Sequence, residues 1–172
     1  MLCDRIHEDM THLILIGGAP GVGKSTVARK IFTHLDNCVW LDGDNLWRMN
    51  PFIVNEKTKQ MVERNIHYVL RSFIKEDFSY VLFTWVLHLE STIKRLLSAL
   101  PRSQFELFHF TLICSEQTLK TRIAYDSSRA RDINLALERL RETRLLSSSR
   151  QIDTEGKDPS TIVQELMHWI VA

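Results

Sequence analysis

What the sequence lacks narrows it first. No apolar run approaches the ~20 residues that a bilayer-spanning helix needs. The opening MLCDRIHEDMTHLILIGG mixes charges with an apolar run of only four residues, too short for the hydrophobic region of a signal peptide. A cytoplasmic chain with no membrane contact is expected. Cysteine is scarce: Cys3, Cys38 and Cys114 are odd in number and far apart, with no C-x-x-C pair and no His at zinc-finger spacing. They read as reduced thiols and exclude a disulfide framework. The seven histidines show no H-x-x-x-H spacing, so no protein-bound transition metal is indicated. Neither sign of charge dominates. With 22 Lys and Arg against 21 Asp and Glu, the formal net charge is +1, and no global field gathers nucleic acid or anionic membrane. Repeats, low-complexity tracts and linkers are missing too. The 172 residues, 44% hydrophobic, suit a single domain spanning 1–172 with a real core.

What is present alternates between two periods. Five short β-rich runs occur at His12 to Ile16, Cys38 to Leu41, Tyr80 to Val86, Phe105 to Cys114 and Arg150 to Asp153. Helical patterns separate them. Lys24 to Leu35 follows the first run, and Asn55 to Glu76 sets Met61, Val62, Ile66, Val69, Leu70, Phe73 and Ile74 on one stripe. Leu89 to Leu100 is stopped by Pro101, Ser115 to Tyr125 has Ser115 as its N-cap, and Asn134 to Leu146 is helical. Asp158-Pro159 opens a last helix. Such alternation predicts an α/β fold whose parallel sheet is covered on both faces.

Between the first strand and its helix lies Gly18-Ala19-Pro20-Gly21-Val22-Gly23-Lys24-Ser25, a G-x-x-x-x-G-K-S loop followed by Thr26. The glycines let backbone N–H groups turn inward around a phosphate, and the following helix adds its positive dipole end. Lys24 is placed to reach the β and γ phosphates, and the Ser25 hydroxyl is a hard oxygen ligand for Mg²⁺. The four specified positions meet by chance in under about one in a hundred chains of this length, before the flanking strand and helix are considered.

The second strand runs into Asp42-Gly43-Asp44, two carboxylates at the carboxyl end of a buried strand, where open parallel sheets bind ligands. One acid could hold a Mg²⁺ water and the other accept a proton from an acceptor hydroxyl. The plainer alternative is that Asp44 caps a short helix, Asn45 to Met49, while Asp42 only ends the strand. Many proteins with this loop end their third strand in an acid; here the strand reads Tyr80-Val81-Leu82-Phe83-Thr84-Trp85. Thr84 could orient a metal water, and Asp42 is the nearby acid for that duty.

From Ser115 to Arg150 eight basic residues face five acidic ones, a local surplus of three. Asp126-Ser127-Ser128-Arg129-Ala130-Arg131-Asp132 is short, polar and helix-poor, as a closing lid would be. Guanidinium groups grip phosphate oxygens with two donors, which makes Arg122, Arg129 and Arg131 the candidates there. Arg139, Arg141 and Arg144 fit a solvated helix face better. A single aromatic, Tyr125, stands within this cluster, too few for a base-stacking surface, which argues against nucleic acid as the partner. Trp47, Arg48, Met49, Asn50, Pro51 and Phe52, with Trp85 and His88 after the third strand, could wall an acceptor pocket.

The loop Gly18 to Thr26, the strand ending LDGDN and the arginine-bearing segment together resemble the nucleotide-kinase-like group of P-loop phosphotransferases. Shikimate, gluconate and adenylylsulfate kinases and chloramphenicol phosphotransferase are similar in plan. The resemblance covers nearly the whole chain. It implies a three-layer fold with a five-stranded parallel sheet of order 2-3-1-4-5, a lid at about 126–132 and an acceptor-binding region at about 44–77. It also implies roles for Asp42 near Mg²⁺ or the attacking hydroxyl, for Asp44 at the acceptor, and for the loop Thr154-Glu155-Gly156-Lys157 over the adenine of ATP. No Asn-Lys-x-Asp guanine signature occurs, which favours ATP over GTP. The resulting expectation is an ATP- and Mg²⁺-dependent kinase of a small-molecule acceptor. A nucleotide-dependent switch acting on a protein partner and a degenerate nucleotide-binding module stay open as alternatives. The sequence names neither the acceptor nor an oligomeric state.

Overall fold

The computed structural model of the chain describes residues 10–76, 78–126 and 132–171. In chain order the elements are β1 Thr11–Gly18, α1 Lys24–His34, β2 Cys38–Asp42, a 3₁₀ turn Gly43–Trp47, α2 Glu56–Lys75, β3 Tyr80–Thr84, α3 Glu90–Ser98, a second 3₁₀ turn Arg102–Gln104, β4 Phe105–Ile113, α4 Glu116–Tyr125, α5 Ile133–Thr143, β5 Arg150–Asp153 and α6 Pro159–Ile170. The five strands are all parallel and lie in the order β2-β3-β1-β4-β5. Both the class and the order are those expected.

The strand period of two explains the layering. Leu13, Ile14, Leu15 and Ile16 of β1 are all fully buried, because β1 is central and both its faces are covered. Ile14 and Ile16 join a core with Val27, Ala28 and Ile31 of α1 and Ile162, Val163 and Leu166 of α6. Leu13 and Leu15 join a second core with Val62, Ile66 and Leu70 of α2 and Ile93 and Leu96 of α3. The α2 stripe is narrower than its apolar content suggests: Val62, Ile66, Leu70 and Ile74 are buried, whereas Met61, Val69 and Phe73 are half-buried.

Helix starts follow side-chain chemistry. The Asn55 side chain accepts from Thr58 N at 2.9 Å while the Thr58 hydroxyl accepts from Asn55 N at 2.9 Å, a reciprocal cap. Ser115, Asp132 and Asp158 cap α4, α5 and α6 in the same way with one side-chain oxygen each. Among the described residues no helix is long and apolar enough to cross a membrane.

Several boundaries depart from the expected ones, among them β1, which runs on to Gly18, and α3, which ends at Ser98. The helix expected to reach Leu146 stops at Thr143. Glu90 takes over there: its Oε1 accepts from Ser147 N at 2.8 Å and Ser148 N at 3.0 Å, and Gln151 Nε2 donates to Arg144 O at 2.9 Å. Donors and acceptors that a longer helix would have used are thus satisfied by distant side chains, and the chain turns into β5. The third strand ends at Thr84, not Val86, although Trp85 N still donates to Ile16 O at 3.3 Å.

Packing at the centre of the second core predicts that Leu70→Ala lowers unfolding free energy by about 2–5 kcal/mol, measured by denaturant titration. A second expectation concerns acid. His109 of β4 is 8% exposed, its Nδ1–H donates to Ser148 O at 3.0 Å, and its Nε2 is buried with no hydrogen-bond partner among the described residues. Burial, partly opposed by the Ser148 bond and Glu90, holds its pKa below the ordinary 6.5. The unfolded chain therefore takes up a proton first. Stability should be constant above about pH 6.5 and fall as pH drops from there toward the lowered folded value. Thermal midpoints between pH 7.5 and 5.5 should show this fall, and His109→Gln should reduce it.

Candidate functional site

The carboxyl end of β1 turns through three glycines with positive φ: +139° at Gly18, +88° at Gly21 and +113° at Gly23. Space is also tight. A Cβ at Gly18 would lie 2.7 Å from Leu112 O and 2.9 Å from Val22 Cγ1, and one at Gly21 would lie 2.8 Å from Ile123 Cγ1. Val22 N closes a turn onto Ala19 O at 3.3 Å, and Pro20 is half-buried at the bend. Gly23 is the residue before α1 and brings no side-chain cap, so the first-turn N–H groups of that helix are served by no residue at its own N-cap. Lys24, 8% exposed, bends back over the loop, its Nζ donating to Gly18 O at 2.8 Å and Ala19 O at 3.0 Å. Thr26 points outward on α1 and is exposed.

Ser25 joins this loop to the acidic pair. Its hydroxyl donates to Asp42 Oδ2 at 2.9 Å, while Asp42 Oδ1 accepts from Asp44 N at 3.1 Å. Asp42 is therefore the cap of the 3₁₀ turn, and that turn is Gly43–Trp47. The alternative with Asp44 capping Asn45 to Met49 is corrected: the acid at the strand end is one carboxylate with both oxygens engaged. Strand register explains how Asp42 reaches the loop. It pairs with Thr84, and Thr84 pairs with Ile16, so β2 and β3 end together beside Ile16, just before β1 turns into the loop at Gly18. Thr84 itself is fully buried and accepts from Trp40 Nε1 at 3.1 Å. The indole of Trp40 occupies one acceptor position of that hydroxyl and leaves its O–H as a donor.

Asp44 and Arg48 are exposed. Trp85 lies against the backbone between the two acids, since a Cβ at Gly43 would come within 2.8 Å of its ring carbons. His88 goes elsewhere: Nδ1–H donates to Val86 O at 2.7 Å, and Nε2 faces Glu142 Oε2 at 3.9 Å. That carboxylate also accepts from Arg139 Nη1 at 2.6 Å. The structure thus brings Trp85 beside the acids and turns His88 toward α5.

On the other side of the phosphate loop one guanidinium ties three groups. Arg122 Nη1 donates to Val22 O and to Thr154 Oγ1, each at 2.9 Å, and Nη2 donates to Thr154 O at 2.9 Å. Expected as a free phosphate contact, Arg122 is instead turned onto two loops, and it fastens one to the other. Thr154 is 1% exposed and also bonds Ile113 O through both its N and its hydroxyl. Gly156 has φ of +62° with open space around it, and the Lys157 ammonium pairs with Glu165 Oε2 at 2.8 Å, away from the loop edge. Arg129 and Arg131, and with them most of the segment 126–132, lie outside the described residues.

Sequence reasoning missed Glu155. Its carboxylate accepts from Ser115 N at 2.8 Å and from the Thr118 hydroxyl, locking the start of α4 to the turn after β5. The Ser115 N–H, then Thr118, hold its pKa below the ordinary value. A carboxylate beside Gly156 in a turn was the available signal. The arginines after 132 have structural partners: Arg139 with Glu142, Arg141 with Glu116 through two bonds of 2.8 and 3.1 Å, and Arg144 with Cys114 O at 2.7 Å.

Over residues 14–146, well beyond half its length, the sequence matches the family described as the AAA domain. The chain belongs to that family. No curated protein matches this AAA-domain chain. Solved structures do share its fold. A gluconokinase from Sinorhizobium meliloti 1021 superposes with a TM-score of 0.70 at 17% identity, covering 95% of this chain and 94% of its own. The tunicamycin resistance protein of Deinococcus radiodurans gives 0.68 at 20% identity, with 93% and 95% covered. A sugar kinase from Janibacter sp. HTCC2649 gives 0.67 at 14% identity, with 94% and 95% covered.

Removing the guanidinium should loosen both loops at once. Arg122→Ala is expected to destabilise the fold by about 1–3 kcal/mol, the usual cost of leaving part-buried carbonyls unsatisfied. Hydrogen exchange should rise together at 18–23 and 154–157. A rise confined to one loop would mean that the two are not coupled through Arg122.

Proposed function

We propose that the chain is an ATP-dependent phosphotransferase that moves the γ-phosphoryl group of MgATP to a hydroxyl of a small-molecule acceptor. The hydrogen bond between Ser25 and Asp42 carries this reading. It brings a hydroxyl from the phosphate loop and a carboxylate from the next strand to one point, a donor set of hard oxygens suited to Mg²⁺. The loop fits a polyphosphate as well: its glycines at positive φ let the backbone curl as an L side chain would not, and Lys24 already directs its ammonium at the loop. The fold shared with a gluconokinase and a sugar kinase supports the same class.

Bound Mg²⁺ would supply charge neutralisation at the β and γ phosphate oxygens. The residues around it divide the work. Ser25 and Asp42 hold the metal side, and Asp42, with one oxygen on Ser25 and the other on Asp44 N, is fixed in place by its neighbours. Lys24 follows the terminal phosphate. Asp44, exposed on the acceptor side, takes the proton of the acceptor hydroxyl as its oxygen bonds to the γ-phosphorus and the bond to the ADP oxygen breaks. Gly21, Gly23 and Ser25 offer backbone N–H groups to the phosphates. Thr154, Gly156 and Lys157 present backbone to the base, and Arg122 keeps that turn in register with the phosphate loop. Arg129 and Arg131 would close from the segment at about 126–132, with residues at about 44–77 receiving the acceptor, and 1–172 acting as one unit.

ADP release measured with nucleosides, nucleotides, sugar acids, aminoglycosides and chloramphenicol-like compounds tests this. One acceptor class should stimulate turnover. Lys24→Ala should abolish it, and Asp42→Asn and Asp44→Asn should each lower it by about 10²–10⁴, with Asp44→Asn sparing nucleotide affinity. Basal hydrolysis alone, insensitive to every acceptor, would favour a nucleotide-dependent switch instead.

A further inference from the structure

The segment between β2 and α2 is unusual for a stretch beside two carboxylates. Residues 43–55 carry one acid, Asp44, and one base, Arg48, against six large apolar side chains: Leu46, Trp47, Met49, Phe52, Ile53 and Val54. These divide into two sets. Leu46, Trp47 and Met49 are half-buried against the α2 and α3 core and anchor the segment. Phe52, Ile53 and Val54 are 67%, 45% and 54% exposed and consecutive, with the Phe52 ring 6.3 Å from that of Trp47. A run of exposed large apolar residues marks a surface that something apolar covers.

Its place in the fold says what. The segment starts at Asp44, and Trp85 stands over Gly43 on the neighbouring strand end. Trp85 also borders a small cavity with Ile66 and Leu96, whose polar members are Thr92, His67 and Glu63. Glu63 is paired with Arg95 at 2.9 Å, so it presents no free charge for a cationic or anionic ligand to match. Carboxylate and phosphate groups are gripped by guanidinium forks, and the segment supplies a single arginine. The Phe52 ring stands beside Trp47, and Trp47 follows Asp44 closely on the same 3₁₀ turn, so the apolar run and the carboxylate belong to one continuous segment.

We infer that the acceptor is a hydroxyl-bearing molecule with an apolar, ring-containing body, uncharged near the reacting hydroxyl, and that Phe52, Ile53, Trp47 and Trp85 select it over sugar acids and nucleoside monophosphates. This rests on the phosphotransferase reading and adds the substrate class. Chemically the step is unchanged: the acceptor oxygen gains the phosphoryl group, its proton passes to Asp44, and ADP leaves. Apolar contact replaces ion pairing as the source of discrimination.

The test uses the whole chain with Mg²⁺ and a non-hydrolysable ATP analogue, titrated separately with indole-3-ethanol, 2-phenylethanol, gluconate and AMP. Tryptophan fluorescence and side-chain NMR shifts report binding, and ADP release with ATP reports transfer. Saturable binding of the two aromatic alcohols, with shifts at Trp47, Phe52 and Trp85 and with ADP release above basal, is expected. Phe52→Ala should weaken it about ten-fold. Its thermal midpoint should stay unchanged, because the ring is mostly exposed. Transfer to gluconate or AMP with no response to the alcohols overturns the inference and leaves the phosphotransferase reading intact. Nucleotide binding with no response to any of the four also overturns it, as does self-association through Phe52 to Val54 that leaves both alcohols unbound. Failure to bind the nucleotide analogue defeats the underlying reading itself.

Discussion

The contact between Ser25 and Asp42 depends on a condition that neither residue sets: β2 and β3 must end together beside β1, just short of the loop. Parallel register sets it, with Ile16 beside Thr84 and Thr84 beside Asp42. Four fully buried residues of β1, two facing each layer of helices, hold that register. A slip of one residue would turn each of them to the opposite face. The two cores therefore keep a hydroxyl and a carboxylate, 17 residues apart in sequence, at 2.9 Å.

The opposite side of the loop is organised by a different principle. There one arginine satisfies backbone carbonyls from two loops, and one glutamate satisfies an N–H and a hydroxyl at the start of α4. Charge-assisted bonds to backbone fix these loops together, beside the apolar packing of Ala19 and Val22. Val22, Thr154, Ser115 and Thr118 thus form one polar seam across the carboxyl ends of β1, β4 and β5. The seam and the Ser25 to Asp42 bridge flank the phosphate loop from its two sides.

Most of the architecture was legible. Alternating periods gave five strands and their helices, and the caps Ser115 and Asp158 announced their helices by residue type. The glycine loop was plain because each of its glycines meets a steric or dihedral requirement. What stayed hidden were contacts across long sequence separations. Nothing near Leu146 tells that Glu90 will end α5, since that carboxylate arrives from 57 residues away. Arg122 looked like a lid residue because arginine at a helix end fits both roles, and only the position of Thr154 distinguishes them. Asp42 looked like a candidate because the third strand offered no acid. The register sets Asp42 beside Thr84, and the Trp40 indole donates to the Thr84 hydroxyl, contacts that residue types alone do not announce.

Trp40 and Thr84 also constrain how this arrangement could change. An aspartate at 84 would be wholly buried, roughly one strand spacing of 4.8 Å from Asp42, with a single indole N–H to offset its charge. Two carboxylates so close would compete for one proton. Replacing Trp40 alone would leave the Thr84 hydroxyl buried without its donor. Each residue therefore constrains the other: a change at 40 or 84 alone leaves a buried polar group or charge short of partners, and the pair tolerates substitution only together.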